Sequence, residues 1–343
     1  MKSSTADDLQ ILRDFLPELR SLRIALLYGP KSYEDAVYFD NLPFEQISSG
    51  FIAAAFRELG LSFIALENTT CDLERHLTGV DVVFVNMHGE FGEDGAIQGL
   101  LQYLGKPYTG SGVFASALAC DKTRFKRYIS LLGFPTPSWR TLDGMSPRDL
   151  VQVSRDIGLP IMLKLVDGGS SVGMHALHHE HDASRLSSAI ATGIHSNRAY
   201  FAERLISGRD MTVSLLELPS QIVPLPILEV KTGAGQTYDE TAKLDSQRGE
   251  HVVDYVCPAD LPHDVTTRLQ QLATDLFREI GCRGFARIDF ILSEDGTPYC
   301  LELNTIPGLQ RDSNFLQCVQ KGGMSAETVF LSLLYSALHR GGR

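Results

Sequence analysis

The sequence predicts a chain of mixed α/β and α+β architecture: an N-terminal doubly wound parallel sheet followed by one or two further domains. Three observations carry this expectation. The apolar runs Arg23–Gly29, Leu61–Leu66 and Val80–Asn86, with a helical segment Phe51–Leu59 between the first two, follow the β-α-β order of a doubly wound unit. From Pro160 onward, strand-like runs dominate and are separated mainly by loops. One of them, Arg287 to Asn304, reads as a β-hairpin around Asp295-Gly296. Finally, 343 residues exceed a single comfortable core, so two or three domains are expected.

Composition narrows the function. Hydrophobic content of 43% and charged content of 21% are ordinary for a globular protein, and a net charge of −11 without basic runs argues against nucleic acid as a partner. No apolar stretch is long enough to span a bilayer, the N-terminus lacks a signal-peptide pattern, and the six cysteines are scattered with no CxxC pair. No membrane association, no zinc site and a reducing cytoplasm are the corresponding expectations.

In chain order, residues 7–22 read as an amphipathic helix before the first strand. In doubly wound sheets ligands bind beyond the carboxyl ends of the strands, which singles out the loops after Gly29 and after Met87. The second, His88-Gly89-Glu90-Phe91-Gly92-Glu93-Asp94-Gly95, has three glycines that let backbone approach a ligand. The helix that follows, Ala96–Leu104, offers its N-terminal N–H groups to an anion. A plain surface turn is the alternative, and no GxSxG elbow accompanies it. Ala115–Leu132 is expected as one helix carrying Asp121, Lys122 and Lys126, closed by Gly133 and Pro135.

Pro160–Asp167 is a strand with Lys164 inside it, and it leads into Gly168-Gly169-Ser170-Ser171-Val172-Gly173. A half-buried lysine beside a Gly/Ser loop between antiparallel strands suits a phosphate chain; a flexible turn beside a snorkelling lysine is the alternative. The loop is not a Walker motif, because GK[ST] and the following helix are both missing. Strands are expected at Tyr200–Asp210, Met211–Leu218 and Val223–Lys231. A polar loop then runs from Thr232 to Gly249, a length usually reserved for lids. Asp264–Ile280 is an amphipathic helix ended by Gly281, and the last helix runs from about Ala326 to His339.

The hairpin carries the chemistry. With Asp295-Gly296 as a two-residue type I′ turn, Arg287 opposes Asn304 and Asp289 opposes Glu302. Side chains two apart share a face, so Arg, Asp, Glu and Asn converge. Facing carboxylates repel, and a hard cation such as Mg²⁺ relieves the repulsion. A solvated polar face is the plain alternative.

Together these pieces resemble the ATP-grasp superfamily and, within it, the D-alanine–D-alanine ligase family, from about Arg23 to the C-terminal helix. The motifs are His88-Gly89 with Gly92-Glu93-Asp94-Gly95, Tyr108-Thr109-Gly110-Ser111-Gly112, Asp121-Lys122, Lys164, and Gly169-Ser170-Ser171-Val172-Gly173. Arg287-Ile288-Asp289, Glu302-Leu303-Asn304-Thr305 and Pro307-Gly308 complete the set. The resemblance implies an N-terminal domain (1–118), a central ATP-grasp subdomain (119–205) and a C-terminal subdomain (206–343) with a lid at 232–249 and a metal-binding hairpin at 286–304. It implies ATP with Mg²⁺ or Mn²⁺, as two ions, and a carboxylate activated as an acyl phosphate before an amine attacks it.

Residue by residue, it implies that Lys122 and Lys164 bind phosphates and that Ser170 and Ser171 form the phosphate loop. Glu203 and Leu205 meet adenine, Asp210 stands for the ribose-binding Glu, and the lid Lys243 reaches the γ-phosphate. Asp289, Glu302 and Asn304 are the metal ligands. Arg287 stabilises the transferred phosphate, and Gly308 lends an N–H to an oxyanion hole. Ser313 holds the acceptor carboxylate, His88 lies near the donor, and Glu34 or Glu45 anchors the donor amine. Amino-acid-like small molecules are the implied partners, and a homodimer is expected.

Departures cluster around the substrates. Leu244 stands where the family lid has Tyr, Thr241 where depsipeptide-forming relatives have His, and Asn314 where the cell-wall enzymes have Leu. Tyr28-Gly29 stands in place of paired glycines. The sequence-level expectation is therefore an ATP-dependent carboxylate–amine ligase with non-standard amino-acid substrates in a specialised pathway. The alternatives are the standard cell-wall D-alanine–D-alanine ligase, an idle nucleotide-binding protein, and an ATP-dependent cyclase using the same acyl phosphate.

Overall fold

The computed structural model describes residues 4–29, 44–67, 72–142, 144, 146–168, 173–192, 198–231 and 253–339. Three sheets organise them. The first is parallel, in the order β2-β1-β3, formed by β1 (Arg23–Gly29), β2 (Ser62–Glu67) and β3 (Val82–Met87). Ile24 to Leu27 and Val82 to Met87 are buried, because helices cover this sheet and leave its central strands no wet face. Helices α1 (Thr5–Leu19) and α2 (Ser48–Glu58) belong to this layer. Ser4 and Asp7 form a capping box at the start of α1. Asp8, fully buried, accepts from Ser220 N, Ser220 Oγ and Gln221 Nε2 at 3.0, 3.0 and 2.8 Å, tying α1 to a turn more than two hundred residues away. Gly29 pairs in register with Met87, so the two loops singled out from the sequence leave the same end of the sheet side by side.

A short helix α3 (Leu73–His76) connects β2 to β3, and two further helices, α4 (Ala96–Tyr103) and α5 (Val113–Cys120), follow β3 in the chain. A fourth, α6 (Lys122–Leu131), follows directly. The expected single helix Ala115–Leu132 is thus two. Asp121 leaves the helical region at ψ 96°, and its carboxylate caps α6 by accepting from Thr123 N and Arg124 N. An Asp inside an apolar run competes for backbone N–H groups, and here it restarts the helix.

The second sheet is antiparallel, in the order β4-β7-β5-β6, from β4 (Trp139–Thr141), β5 (Ile161–Leu165), β6 (His175–Leu177) and β7 (Tyr200–Arg204). Helices α7 (Pro147–Ile157) and α8 (Ala183–Thr192), for which no sequence expectation was drawn, share its core through Leu150, Val153, Ile157 and Ile190.

The third and largest sheet has the path β11-β10-β8-β12-β13, with β9 also paired to β8. Its strands are β8 (Gly208–Glu217), β9 (Ile222–Pro224), β10 (Leu228–Lys231), β11 (Asp254–Val256), β12 (Phe285–Ser293) and β13 (Pro298–Asn304). The expected strand Val223–Lys231 is split into β9 and β10. Pro226 lies in the break, where it has no N–H to give to a ladder. One face of this sheet packs Met211, Val213, Ile288 and Phe290 against α9 (His263–Ile280), and α5 and α6 join the same core. On the other face Leu216 and Phe285 join the core of the N-terminal layer together with α10 (Asn314–Lys321) and α11 (Ala326–Leu338).

Candidate active site

The hairpin of β12 and β13 has the expected pairing at its functional end: Arg287 opposes Asn304 and Asp289 opposes Glu302. The turn, however, is not the two-residue type I′ turn read from Asp295-Gly296. Ser293 and Thr297 close a three-residue loop, with Ser293 N donating to Thr297 O at 3.0 Å and Gly296 in the left-handed region at φ 80°. The longer loop shifts the pairing to Phe290 with Cys300 and Ile291 with Tyr299, and a bulge after Asp289 shifts it back. The extra residue is Leu301, so Leu301 and Glu302 are successively half-buried where the alternation breaks. Two offsets cancel, and the register at the polar face is the one a tight turn would have given.

That face is extended by β8. Arg287, Asp289 and Ile291 have Ser214, Thr212 and Asp210 as partners. Asp289 is gripped by Arg287, whose Nε and Nη2 lie 3.1 and 2.9 Å from Oδ2, and it accepts from Thr212 Oγ1 at 2.7 Å. Glu302 lies 3.4 Å from Lys122 Nζ. Burial acts to raise its carboxyl, but the charges of Lys122, Lys164 and Arg287 win and hold it below the usual range. Asn304 Oδ1 accepts from Ile306 N at 3.0 Å, fixing its amide.

The cations come from β5 of the second sheet and from α6. Lys164 on β5 and Glu203 on β7 form an ion pair. Glu203 also pairs through Oε2 with Lys126 Nζ at 2.7 Å. Burial works against the Glu203 anion, yet the two lysines push its pKa down to about 2. Burial likewise works against the Lys164 cation, and the Glu203 charge outweighs it and raises that pKa. Lys122, at the start of α6, donates to Gly168 O, and its own N–H donates to Val166 O at 3.0 Å; the end of β5 and α6 are therefore locked together. Across the cleft, burial pushes Asp210 up to about 6; Lys164 opposes this, and Asp289 and Glu229 add to it. Leu205, half-buried, donates its N–H to Pro160 O at 2.9 Å.

The N-terminal side is more closed than the sequence suggests. In the His88–Gly95 loop, Gly89 N donates to Glu93 Oε2, Phe91 N to Asp94 Oδ2 and Ala96 N to Asp94 Oδ1, at 2.6, 2.8 and 2.9 Å. The loop's own carboxylates thus take amides expected to face an anion. His88 Nε2 is buried without a hydrogen-bond partner among the described residues. Ser313 Oγ caps α10 by accepting from Leu316 N at 3.3 Å, Asn314 is the first residue of that helix, and Gly308 is half-buried in the preceding loop. Glu34, Ser170, Ser171, Lys243 and Leu244 lie outside the described residues, and Glu45 falls on a short 3-10 turn.

The structure pairs Lys122 with Glu302, Lys164 with Glu203 and Arg287 with Asp289, and the charges of Lys122, Lys164 and Arg287 all act on Glu302. It adds two residues to which the sequence reading gave no role. Thr212 orients Asp289, and Lys126 is 1% exposed and bound to Glu203. The signal for Lys126 was its helical spacing, one residue from Phe125 and three from Ile129, on the buried side of α6. Among the described residues no three His, Cys, Asp or Glu side chains converge. The candidate metal set is two carboxylates and an amide oxygen. All are hard oxygen donors, and the directly opposed carboxylates already require cationic compensation, so the donor set fits a divalent ion such as Mg²⁺.

The fold has close counterparts. A D-alanine–D-alanine ligase structure from Bacillus anthracis complexed with ATP covers 92% of this chain and 97% of its own, at TM-score 0.72 and 22% identity. A D-alanyl-alanine synthetase A from Vibrio cholerae covers 93% and 99%, at TM-score 0.76 and 22% identity. An N-terminal parallel sheet followed by two antiparallel sheets with facing charges is the ATP-grasp architecture, and the chain is of that class. Residues 64–111 match the D-ala D-ala ligase N-terminus family and residues 129–335 the D-ala D-ala ligase C-terminus family. The D-alanine–D-alanine ligase of Bordetella avium is 35% identical over 316 residues, 92% of this chain and 94% of the relative. That of Desulforudis audaxviator is 36% identical over 307 residues, 88% and 94%. The chain therefore belongs to the D-alanine–D-alanine ligase family, and it is an ATP-dependent ligase that forms C–N bonds. No helix among the described residues is long and apolar enough to cross a membrane.

Proposed function

We propose that the chain is a standard D-alanine–D-alanine ligase. ATP phosphorylates the carboxylate of one D-alanine, releasing ADP, and the amine of a second D-alanine then attacks the acyl phosphate, forming the amide and releasing phosphate. The observation that carries this reading is the near full-length match, at 35% identity over 92% of the chain, to a relative of that name. The non-standard substrates expected from the sequence find no support in the relatives. Of the residues that prompted them, Leu244 and Thr241 lie outside the described residues, while Tyr28-Gly29 ends β1 and Asn314 opens α10.

The chain's own groups suit the steps. Lys122 and Lys164 place two ammonium groups where a phosphate chain would bring negative charge. Asp289, Glu302 and Asn304 would hold Mg²⁺ or Mn²⁺, as two ions, which when bound supplies charge neutralisation and alignment for the phosphoryl group. Arg287, held by Asp289, keeps its guanidinium on the acidic face of the hairpin, suited to charge developing on the transferred phosphoryl. Glu203, Leu205 and Asp210 line the side assigned to adenosine. Gly308, Ser313 and His88 are assigned to the oxyanion, the acceptor carboxylate and the donor. Ser170, Ser171, Lys243 and Glu34 keep the roles implied by the family resemblance. We also propose domain boundaries after residues 118 and 205, a homodimer, and a cytoplasmic location.

The test is incubation with ATP, Mg²⁺ and D-alanine, reading phosphate release and product mass. D-alanyl-D-alanine formed in step with ADP is the expected result. Phosphate release driven only by another pair of amino acids would overturn it in favour of a specialised ligase.

A further inference from the structure

We propose that Lys126 is a positioning residue for the nucleotide: it holds the Glu203 carboxylate in the seam between the two antiparallel sheets and so releases Lys164 to the incoming phosphates. The inference rests on the reading that ATP binds between those sheets.

Glu203 is shared by two ammonium groups. Its Oε1 pairs with Lys164 and its Oε2 with Lys126, the latter at 2.7 Å. The lysines differ in access. The side chain of Lys164 is 14% exposed, whereas that of Lys126 is 1% exposed. Lys126 is therefore walled off from a cleft ligand, while Lys164 borders the cleft. A buried carboxylate must keep a counter-cation. When Lys164 turns toward a polyanion, Lys126 is the group left to neutralise Glu203.

Lys126 is also held on its other side. Its Nζ donates to Thr136 Oγ1 at 3.0 Å, and Thr136 Oγ1 donates to Cys300 O at 2.8 Å. Cys300 N donates to Pro135 O at 2.8 Å. Cys300 lies on β13, two residues before Glu302. One buried ammonium thus joins α6, the 133–137 connection, the metal-face strand and β7 of the cation-bearing sheet. With Lys126 removed, Glu203 retains Lys164, and the nucleotide has to compete for it.

The experiment measures ADP·Mg²⁺ binding by calorimetry, and the KM for ATP and kcat by D-alanine-dependent phosphate release. The proteins are wild type, Lys126→Met, Glu203→Gln, the double variant, and Thr136→Val. The expected result is a rise of about ten-fold in both the KM for ATP and the ADP dissociation constant for Lys126→Met. Its kcat at saturating ATP should change by less than about three-fold. The double variant should be no weaker than Glu203→Gln alone, because Lys126 acts through Glu203. A merely structural role would instead lower the melting temperature and the active fraction with KM unchanged, and that result overturns the proposal; so do single-variant effects that multiply in the double. If the charge variants do not fold, Thr136→Val decides: a raised KM for ATP supports the positioning role and an unchanged one overturns it. ADP binding needs no turnover, so a wild type inactive on D-alanine would count against the function and leave the binding result standing by itself.

Discussion

The two antiparallel sheets that face each other are built oppositely. The smaller sheet, β4-β7-β5-β6, presents Lys164 and keeps its one carboxylate at the seam, Glu203, between two lysines. The larger sheet presents Asp210, Asp289 and Glu302, with Arg287 folded onto Asp289. Lys122 reaches from α6 to Glu302, so the two sets of charge are partly paired with one another. The difference suits the proposed binding of a metal nucleotide between the two sheets. Phosphates can replace carboxylates around the lysines, and a divalent ion can replace lysine beside the carboxylates, so charge is exchanged and never left bare. The cost of burying isolated charge is avoided in both states.

Breaking the acidic side should have the largest effect. Asp289→Asn or Glu302→Gln is expected to lower kcat by about a hundred-fold or more with the fold retained, since oriented charge on a transferring phosphoryl is the main catalytic term. Phosphate release together with circular dichroism checks this, and a Glu302→Gln enzyme with full turnover would remove Glu302 from the metal set.

Acid titration probes the seam. Glu203 has its pKa depressed from 4.5 to about 2, so its contribution to stability is present above pH 4.5 and is lost as pH falls toward 2. Thermal melts between those values should show a shallower loss for Lys126→Met/Glu203→Gln than for wild type. Equal slopes would mean that the buried pair does not govern acid unfolding. Lys164 has the opposite sign, since its pKa is raised and its contribution fades only as pH climbs past the ordinary lysine range.

Breaking the cationic side is expected to act mainly on nucleotide affinity. Lys164→Met should cost roughly ten-fold or more in kcat/KM for ATP while leaving kcat/KM for D-alanine at saturating ATP less affected. The smallest effect belongs to the hairpin tip. Gly296→Ala, at φ 80° with open space around the added methyl, should cost about 1 kcal/mol of stability. It should not alter turnover, because the bulge after Asp289 sets the register of the polar face. A loss of activity in that variant would show the tip and the face to be coupled.

Much of the site was legible because its rules are local. A period-two strand pattern puts Arg287 with Asp289 and Glu302 with Asn304, and a buried lysine in a short strand asks for an anion. The pairing of Arg287 with Asn304 and of Asp289 with Glu302 is the one read from the strand period, and Lys164 does meet an anion, Glu203. The turn reading failed instructively. Asp295-Gly296 does reverse the chain, but as part of a three-residue loop, and the right pairing at Asp289 comes from a bulge with no sequence signal of its own. Asp121 was read as a residue within a helix although it ends one and starts another. Helix α7 begins with a capping box at Ser146 and Asp149, a start signal that the sequence does carry.

By itself, the sequence determined the parallel N-terminal unit, which acidic and basic residues share a strand face and, through ordered motifs, the family. These depend on spacing along the chain, which strand and helix periods translate directly into faces. Only the tertiary structure decided which charge meets which. Lys126 and Glu203 are 77 positions apart, Thr212 and Asp289 equally far, and Lys122 reaches a carboxylate 180 positions away. Such pairings are set by how three sheets pack, because burial forces each ionised group to find a partner wherever the fold brings one within reach.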